Sequence, residues 1–187
     1  LYSPDAGQSW VRQGSPSMIP DVRLKDVFAV NDQICWIAGE ADTLRGTTVI
    51  LYTKDGGATW SNQGSSLRTS RPVSIAAIVA YDKDTAWAVT SDTCMVIKTV
   101  NGGGSWSVCR ESPSVVSYSA LAVADGRNVW CCGQAADGNA VVEYSPDGGT
   151  TWPEMPVGVA SSSQRPTDIC AAPGPVLYLS GAGAMGI

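Results

Sequence analysis

The side chains best suited to recognition chemistry are the eight arginines, at positions 12, 23, 45, 68, 71, 110, 127 and 165. A guanidinium offers a planar fork of donors that matches a carboxylate two bonds at a time. Arg71 and Arg165 are each followed by proline, which holds the local backbone and limits the entropy lost when a guanidinium is held in place. The carboxylates suggest a second chemistry. Glycoside hydrolysis needs two acids facing each other roughly 5 to 10 Å apart, and the candidates are Glu40, Glu111, Glu143 and Glu154, with Asp42 and Asp137 in corresponding loops. The chain has no histidine, which excludes hydrolysis by a nucleophile–histidine pair. It also makes a zinc site improbable, because the cysteines at 35, 94, 109, 131, 132 and 170 contain no CxxC pair. Four of those cysteines sit in apolar runs as ordinary small core residues. One or two disulfides remain open, with Cys109 the favoured member.

The elements that must position these groups are repeats. The phrase Ser145-Pro-Asp147-Gly-Gly149-Thr-Thr-Trp152 has three further copies. They run from Ser3 through Asp5 and Gly7 to Trp10, from Thr53 through Asp55 and Gly57 to Trp60, and from Thr99 through Asn101 and Gly103 to Trp106. The tryptophans stand 50, 46 and 46 residues apart, a period that suits one small sheet per unit. Asp-Gly or Asn-Gly between apolar runs is a tight-turn signal, and the Asx side chain can accept hydrogen bonds from the turn's own N–H groups. Carboxylates and glycines also serve calcium. Each copy, however, offers at most one carboxylate and the third has Asn101, whereas calcium takes six to eight oxygens. The motif is therefore expected to be a structural turn.

Apolar strands frame every copy. Val49 to Tyr52, Met95 to Ile97 and Ala140 to Val142 precede the turns. About twenty residues earlier come Cys35 to Gly39, Ala86 to Val89 and Val129 to Gly133, each with a tryptophan. The runs are short, rich in Val, Ile, Trp and Thr, and bounded by Gly and Pro, which argues for strands over helices.

With these strands around it, the eight-residue phrase resembles the Asp-box, or BNR repeat, of sialidase-type β-propellers. The whole pattern is most similar to the propellers of photosystem II assembly factors and their secreted relatives. The resemblance covers the whole chain and implies an all-β β-propeller of four-stranded antiparallel blades. The blades are expected at about 11–60, 61–106, 107–152, and 153–187 completed by 1–10. Joining Ile187 to Leu1 puts Trp152 and Trp10 45 residues apart, in line with the other spacings. Such a split blade leaves no sheet edge bare. Four blades closing one ring, two chains sharing an eight-bladed ring, and a segment of a longer array are all compatible with this spacing.

In this family the face opposite the box turns carries the ligand. Here that face would gather every arginine except Arg127, and the candidate ligand-binding residues are Arg71, Arg165, Arg68, Arg23 and Arg45. Arg71-Pro72 and Arg165-Pro166 faintly echo an arginine motif of the sialidases, but the aromatic before the arginine and the apolar residue after it are missing.

At 187 residues, 44% hydrophobic and 16% charged, the chain can bury a core. Its net charge of −5 argues against nucleic acid and anionic membranes as partners, and no apolar run is long enough to span a bilayer. The expectation is a non-catalytic, extracytoplasmic binding or scaffold propeller that recognises a protein segment or glycan, without metal or cofactor. It would act alone, as a homo-oligomer or within a larger assembly. The alternatives are a glycosidase-type propeller or a fragment of one, and a structural subunit of a surface layer, filament or virion.

Overall fold

The computed structural model describes residues 1–14, 21–153, 165–172 and 176–182. Its strands form three successive antiparallel meanders and a final strand pair. The first sheet contains β1 (Leu24–Ala29), β2 (Cys35–Gly39), β3 (Ile50–Thr53) and β4 (Ser61–Asn62) in that order. The second contains β5 (Ile75–Ala80), β6 (Ala86–Thr90), β7 (Met95–Thr99) and β8 (Ser107–Glu111). The third contains β9 (Val115–Val123), β10 (Val129–Ala135) and β11 (Ala140–Ser145), and β12 (Arg165–Ala171) pairs with β13 (Leu177–Ala182). These are the blades of an all-β propeller. The strand expected after Trp152 and the join of 187 to 1 fall largely outside the described residues.

The returning strand β4 begins one residue after Trp60, whose indole packs on Val49 and Leu51 of its own blade. Strand alternation sends one set of side chains to each neighbour. Trp36, Ala38 and Ile50 of the first blade meet Ile78, Ala88, Ile97 and Trp106 of the second. Trp87, Val89 and Val96 on the other face of the second blade meet Val115, Tyr118, Leu121 and Cys131 of the third. Trp130 and Cys132 then meet Ile169, Leu177 and Leu179. The core is thus a series of layers between blades, with tryptophan at the same register in each.

Uniformly buried inner strands are expected from their apolar sequence, and β5 follows that expectation. β1 does not. It alternates exposed and half-buried residues, because one of its faces meets no complete blade. Among the described residues, the first box turn, whose flanks pair Tyr2 with Val11, stands on that side.

Hydrogen bonds within each of the four turns close it. In the last, the Asp147 carboxylate accepts from Thr151 N at 2.8 Å and Thr151 Oγ1 at 2.6 Å, and the Ser145 hydroxyl accepts from Gly149 N at 2.7 Å. Asp5 and Asp55 make the same bonds to the backbone N–H groups of Ser9 and Thr59. Asn101 imitates them, its Oδ1 accepting from Ser105 N at 2.9 Å and its Nδ2 donating to Ser105 Oγ at 3.0 Å. In the three aspartate turns both carboxylate oxygens are engaged by donors of the turn itself. These hydroxyl and amide donors draw the Asp147 carboxyl down to about 2.

All six cysteines are free thiols. Burial pushes the Cys109 thiol up to about 11, the behaviour of a core residue rather than a reactive one.

Candidate ligand-binding face

The box turns and the arginine-bearing loops lie at opposite ends of the blades. Each described box turn after the first docks on its own blade's inner hairpin, with Gly56 N donating to Gln33 O, Gly102 N to Asp84 O and Gly148 N to Arg127 O. Arg127 therefore belongs to the box end. Those inner hairpins repeat a motif that the sequence carries in plain view: Asn31, Asp82 and Asp125 each stand five residues before the blade's tryptophan. Each caps the two N–H groups that follow, at 2.7 to 3.0 Å.

At the loop end, the β2–β3 loop and the crossover from the first blade to the second enclose a cleft of about 270 Å³. Thr47, Thr48, Ser65, Thr69, Ser70 and Arg71 are among its lining residues. The floor is tight: a side chain at Gly64 would meet Thr48 O at 1.9 Å, and Thr48 Oγ1 accepts from Val73 N at 3.0 Å. Arg71 stands on the rim. Its NH1 donates to Asp92 Oδ2 at 3.1 Å and its NH2 to Asp92 O at 3.2 Å. The guanidinium is thus oriented by one acid while more than half exposed. Arg68 is exposed one turn of chain away, beside the buried Leu67 that anchors the crossover.

The other candidate arginines are dispersed. Arg45 NH1 donates to Asp42 Oδ2 at 2.8 Å while its own N–H donates to Oδ1 at 3.0 Å. Arg23 reaches Glu40 at 3.9 Å, where Lys25 Nζ lies closer at 3.0 Å. Arg165 opens β12 opposite Ala182 and is exposed. The shared Arg-Pro dipeptide suggests that Arg71 and Arg165 correspond, and the register corrects this. Pro166 pairs with Gly181 as Leu24 pairs with Gly39 and Ile75 with Thr90. The counterpart of Arg165 is therefore Arg23, and in the second blade it is Ser74. Proline is accepted at Pro166 because the strand begins there beside a bulge, where a missing N–H breaks no central ladder. Arg71 lies three residues upstream of the register position, in the crossover itself.

The candidate acids Glu40, Asp42, Asp137 and Glu143 are engaged as well. Arg45 above all, by hydrogen bond and charge, draws the Asp42 carboxyl down, the opposite of what a general acid requires. Asp137 is tied to Asn139 in its own turn, Glu40 serves Lys25, and Glu154 lies outside the described residues. Glu143 has the richest surroundings. It accepts from Arg110 NH2 at 2.8 Å, Ser112 Oγ at 2.9 Å and the Tyr118 hydroxyl. Tyr118 is almost fully buried, and burial foremost pushes its hydroxyl far above the ordinary value. No substrate can approach that ring, so the group is a buried polar staple between the second and third blades.

A second staple went unread in the sequence. Three residues after the box tryptophan, Gln13 Nε2 donates to Gly56 O at 2.7 Å and Gln63 Nε2 to Gly102 O at 2.6 Å. In each case the acceptor is the carbonyl after the Asx of the next blade's box. Gln63 Oε1 meanwhile accepts from the indole of Trp36 at 3.2 Å. The third box has Cys109 at this position, too short to reach. There Trp87 Nε1 at 3.0 Å and Lys98 Nζ at 2.7 Å donate directly to Gly148 O. The recurrent Trp-x-x-Gln at 10–13 and 60–63 is the signal that could have revealed it.

No protein-family model matches the chain, and no curated protein sequence matches it. Solved structures do. YCF48 bound to D1 peptide aligns over 96% of this chain with a TM-score of 0.64 and 21% identity, covering 54% of its own length. YCF48 from Cyanidioschyzon merolae aligns over 71% of this chain with a TM-score of 0.52 and 20% identity, covering 37% of its own length. The chain spans about half, or less, of the structures that it matches. At this identity the likeness establishes the fold, a β-propeller.

Proposed function

We propose that the chain is a non-catalytic binding propeller that holds an acidic protein segment or a chain-terminal carboxylate at the cleft beside Arg71. The observation that carries this reading is the arrangement of Arg71 itself, a guanidinium oriented by Asp92 on the rim of a hydroxyl-lined cleft. Arg71 NH1 also donates to Pro72 O at 3.3 Å, the side chain stays more than half exposed, and the exposed Arg68 three residues earlier adds a second positive charge. The YCF48 structure bound to D1 peptide supports a peptide-binding reading, since a similar fold holds a peptide. A glycan carboxylate has the same local chemistry, and the face would present it with the same donors. An extracytoplasmic location is part of the same proposal.

Fluorescence polarisation with a library of acidic and C-terminally free peptides tests the proposal. Arg71→Ala with Arg68→Ala is expected to weaken binding by ten-fold or more, while Arg127→Ala at the opposite end leaves it unchanged. Equal binding by the double variant and the parent would refute the role of this face.

A further inference from the structure

Two connections at the loop end are longer around the first blade than around the other described blades, and both wall the cleft beside Arg71. Ten residues, 40–49, join β2 to β3, where four, 91–94, join β6 to β7 and four, 136–139, join β10 to β11. Twelve residues, 63–74, lead from β4 to β5, where three, 112–114, lead from β8 to β9. Gly46 and Thr47 of the first connection line the cleft together with Ser65, Thr69 and Arg71 of the second. The two are also tied to each other, with Ala41 N donating to Ser74 Oγ at 3.1 Å. Four residues are enough to turn between such strands, so the added length belongs to the cleft and not to the blade.

The longer β2–β3 connection is braced from within. Asp42 and Thr47 exchange both backbone hydrogen bonds, at 2.8 and 3.0 Å. Asp42 is only 3% exposed, and its carboxylate is turned under the loop to hold the N–H and the guanidinium of Arg45. Burying a carboxylate is costly unless donors surround it, and this one spends its bonds on fixing the residues between 42 and 47. At the tip so fixed stands Leu44, 99% exposed. An exposed leucine is ordinary on a surface, but one held out on a braced tip is spared much of the ordering cost of binding. Leu44 lies two residues from Gly46, so its backbone is within about 7 Å of the cleft wall.

We propose that Leu44 is an apolar anchor for the segment held at Arg71, and that the partner is a polypeptide with an apolar side chain within a few residues of its carboxylate. This rests on the carboxylate reading of Arg71 and narrows it. The guanidinium takes the carboxylate while Leu44 covers the neighbouring apolar group, so one ligand engages both walls of the cleft. An acidic sugar presents hydroxyls beside its carboxylate where a peptide presents such a side chain, and the pairing of Leu44 with Arg71 therefore favours the peptide.

Fluorescence polarisation with labelled octapeptides of Gly and Ser that end in a free Asp tests this. One peptide has no leucine, and the others carry a single leucine walked through the positions before the Asp. The parent is expected to bind at least one leucine peptide about ten-fold more tightly than the leucine-free one, and Leu44→Ser to remove that gain without weakening the leucine-free peptide. Because Leu44 is held out in solvent, Leu44→Ser should leave the urea midpoint unchanged. Arg71→Ala with Arg68→Ala should instead weaken every peptide. Equal binding of leucine and leucine-free peptides by the parent overturns the anchor, as does a Leu44→Ser variant that keeps the gain or that weakens all peptides alike. In those cases a loss with the arginine variant leaves the reading of Arg71 standing. Binding unchanged by the arginine variant refutes that reading and this inference with it. A parent that binds none of the peptides, or that prefers a uronic-acid oligosaccharide to all of them, also overturns the proposal.

Discussion

Gly103→Ala examines the inter-blade staple with a single methyl group. Gly103 has φ +81°, and a Cβ built on it would lie 1.7 Å from Gln63 Oε1. Two costs follow. A left-handed backbone costs an alanine about 1–2 kcal/mol. The Gln63 amide must also swing away, breaking its bonds to Gly102 O and the Trp36 indole. Trp36 is fully buried, so its N–H is left without a partner, at about 1–3 kcal/mol. Gly103→Ala is therefore expected to cost about 2–5 kcal/mol in total. Gly46→Ala isolates the first term, because Gly46 has φ +66° and nothing within 4 Å of an added Cβ. It should cost only about 1–2 kcal/mol. Gln63→Ala isolates the second, at about 1–3 kcal/mol. The double variant Gly103→Ala with Gln63→Ala loses the staple only once, so it should be no less stable than Gly103→Ala alone, far from additive. Urea unfolding followed by tryptophan fluorescence measures all four variants. Additive costs, or a Gly103→Ala penalty equal to that of Gly46→Ala, would show that the added methyl leaves the Gln63 bridge intact, and a Gln63→Ala variant as stable as the parent would show that the bridge contributes nothing.

Two further outcomes follow from buried and turn-bound acids. The Asp147 carboxyl ionises near 2 in the folded chain against 3.8 ordinarily, so its contribution is fully present above about pH 4 and is lost as the pH falls toward 2. Asp147→Asn, which can bond as Asn101 does, should flatten that part of the melting temperature's acid limb, and parallel acid limbs for parent and variant would contradict it. Tyr118→Phe removes one of the donors to Glu143 in a water-poor layer and should cost about 1–3 kcal/mol in urea unfolding, so a neutral variant would mean that Arg110 and Ser112 satisfy the carboxylate unaided.

What the sequence by itself determined is local. Each box turn is closed by hydrogen bonds no more than four residues apart, so eight residues suffice to specify it and to recognise it. The meander order follows from short connections, and the unbroken apolar runs within Ala86–Thr90 and Val129–Ala135 mark both faces as buried. The Asx caps at Asn31, Asp82 and Asp125 were equally local and equally legible, as was the Trp-x-x-Gln spacing, although its purpose was not. Only the tertiary structure decided which partner each side chain meets. Gln63 acts 39 residues away and Glu143 joins Arg110 33 residues away, and no periodicity encodes such pairings. Arg71 and Arg165 share a dipeptide yet differ in place, because register is set by the strand opposite and not by the residues that follow. The exposure of Val27, identical in character to the buried Ile78, was decided by which blades stand beside it. Curvature accumulates from small rotations between packed layers, so how many blades a ring needs is a property of the interfaces and not of any one repeat.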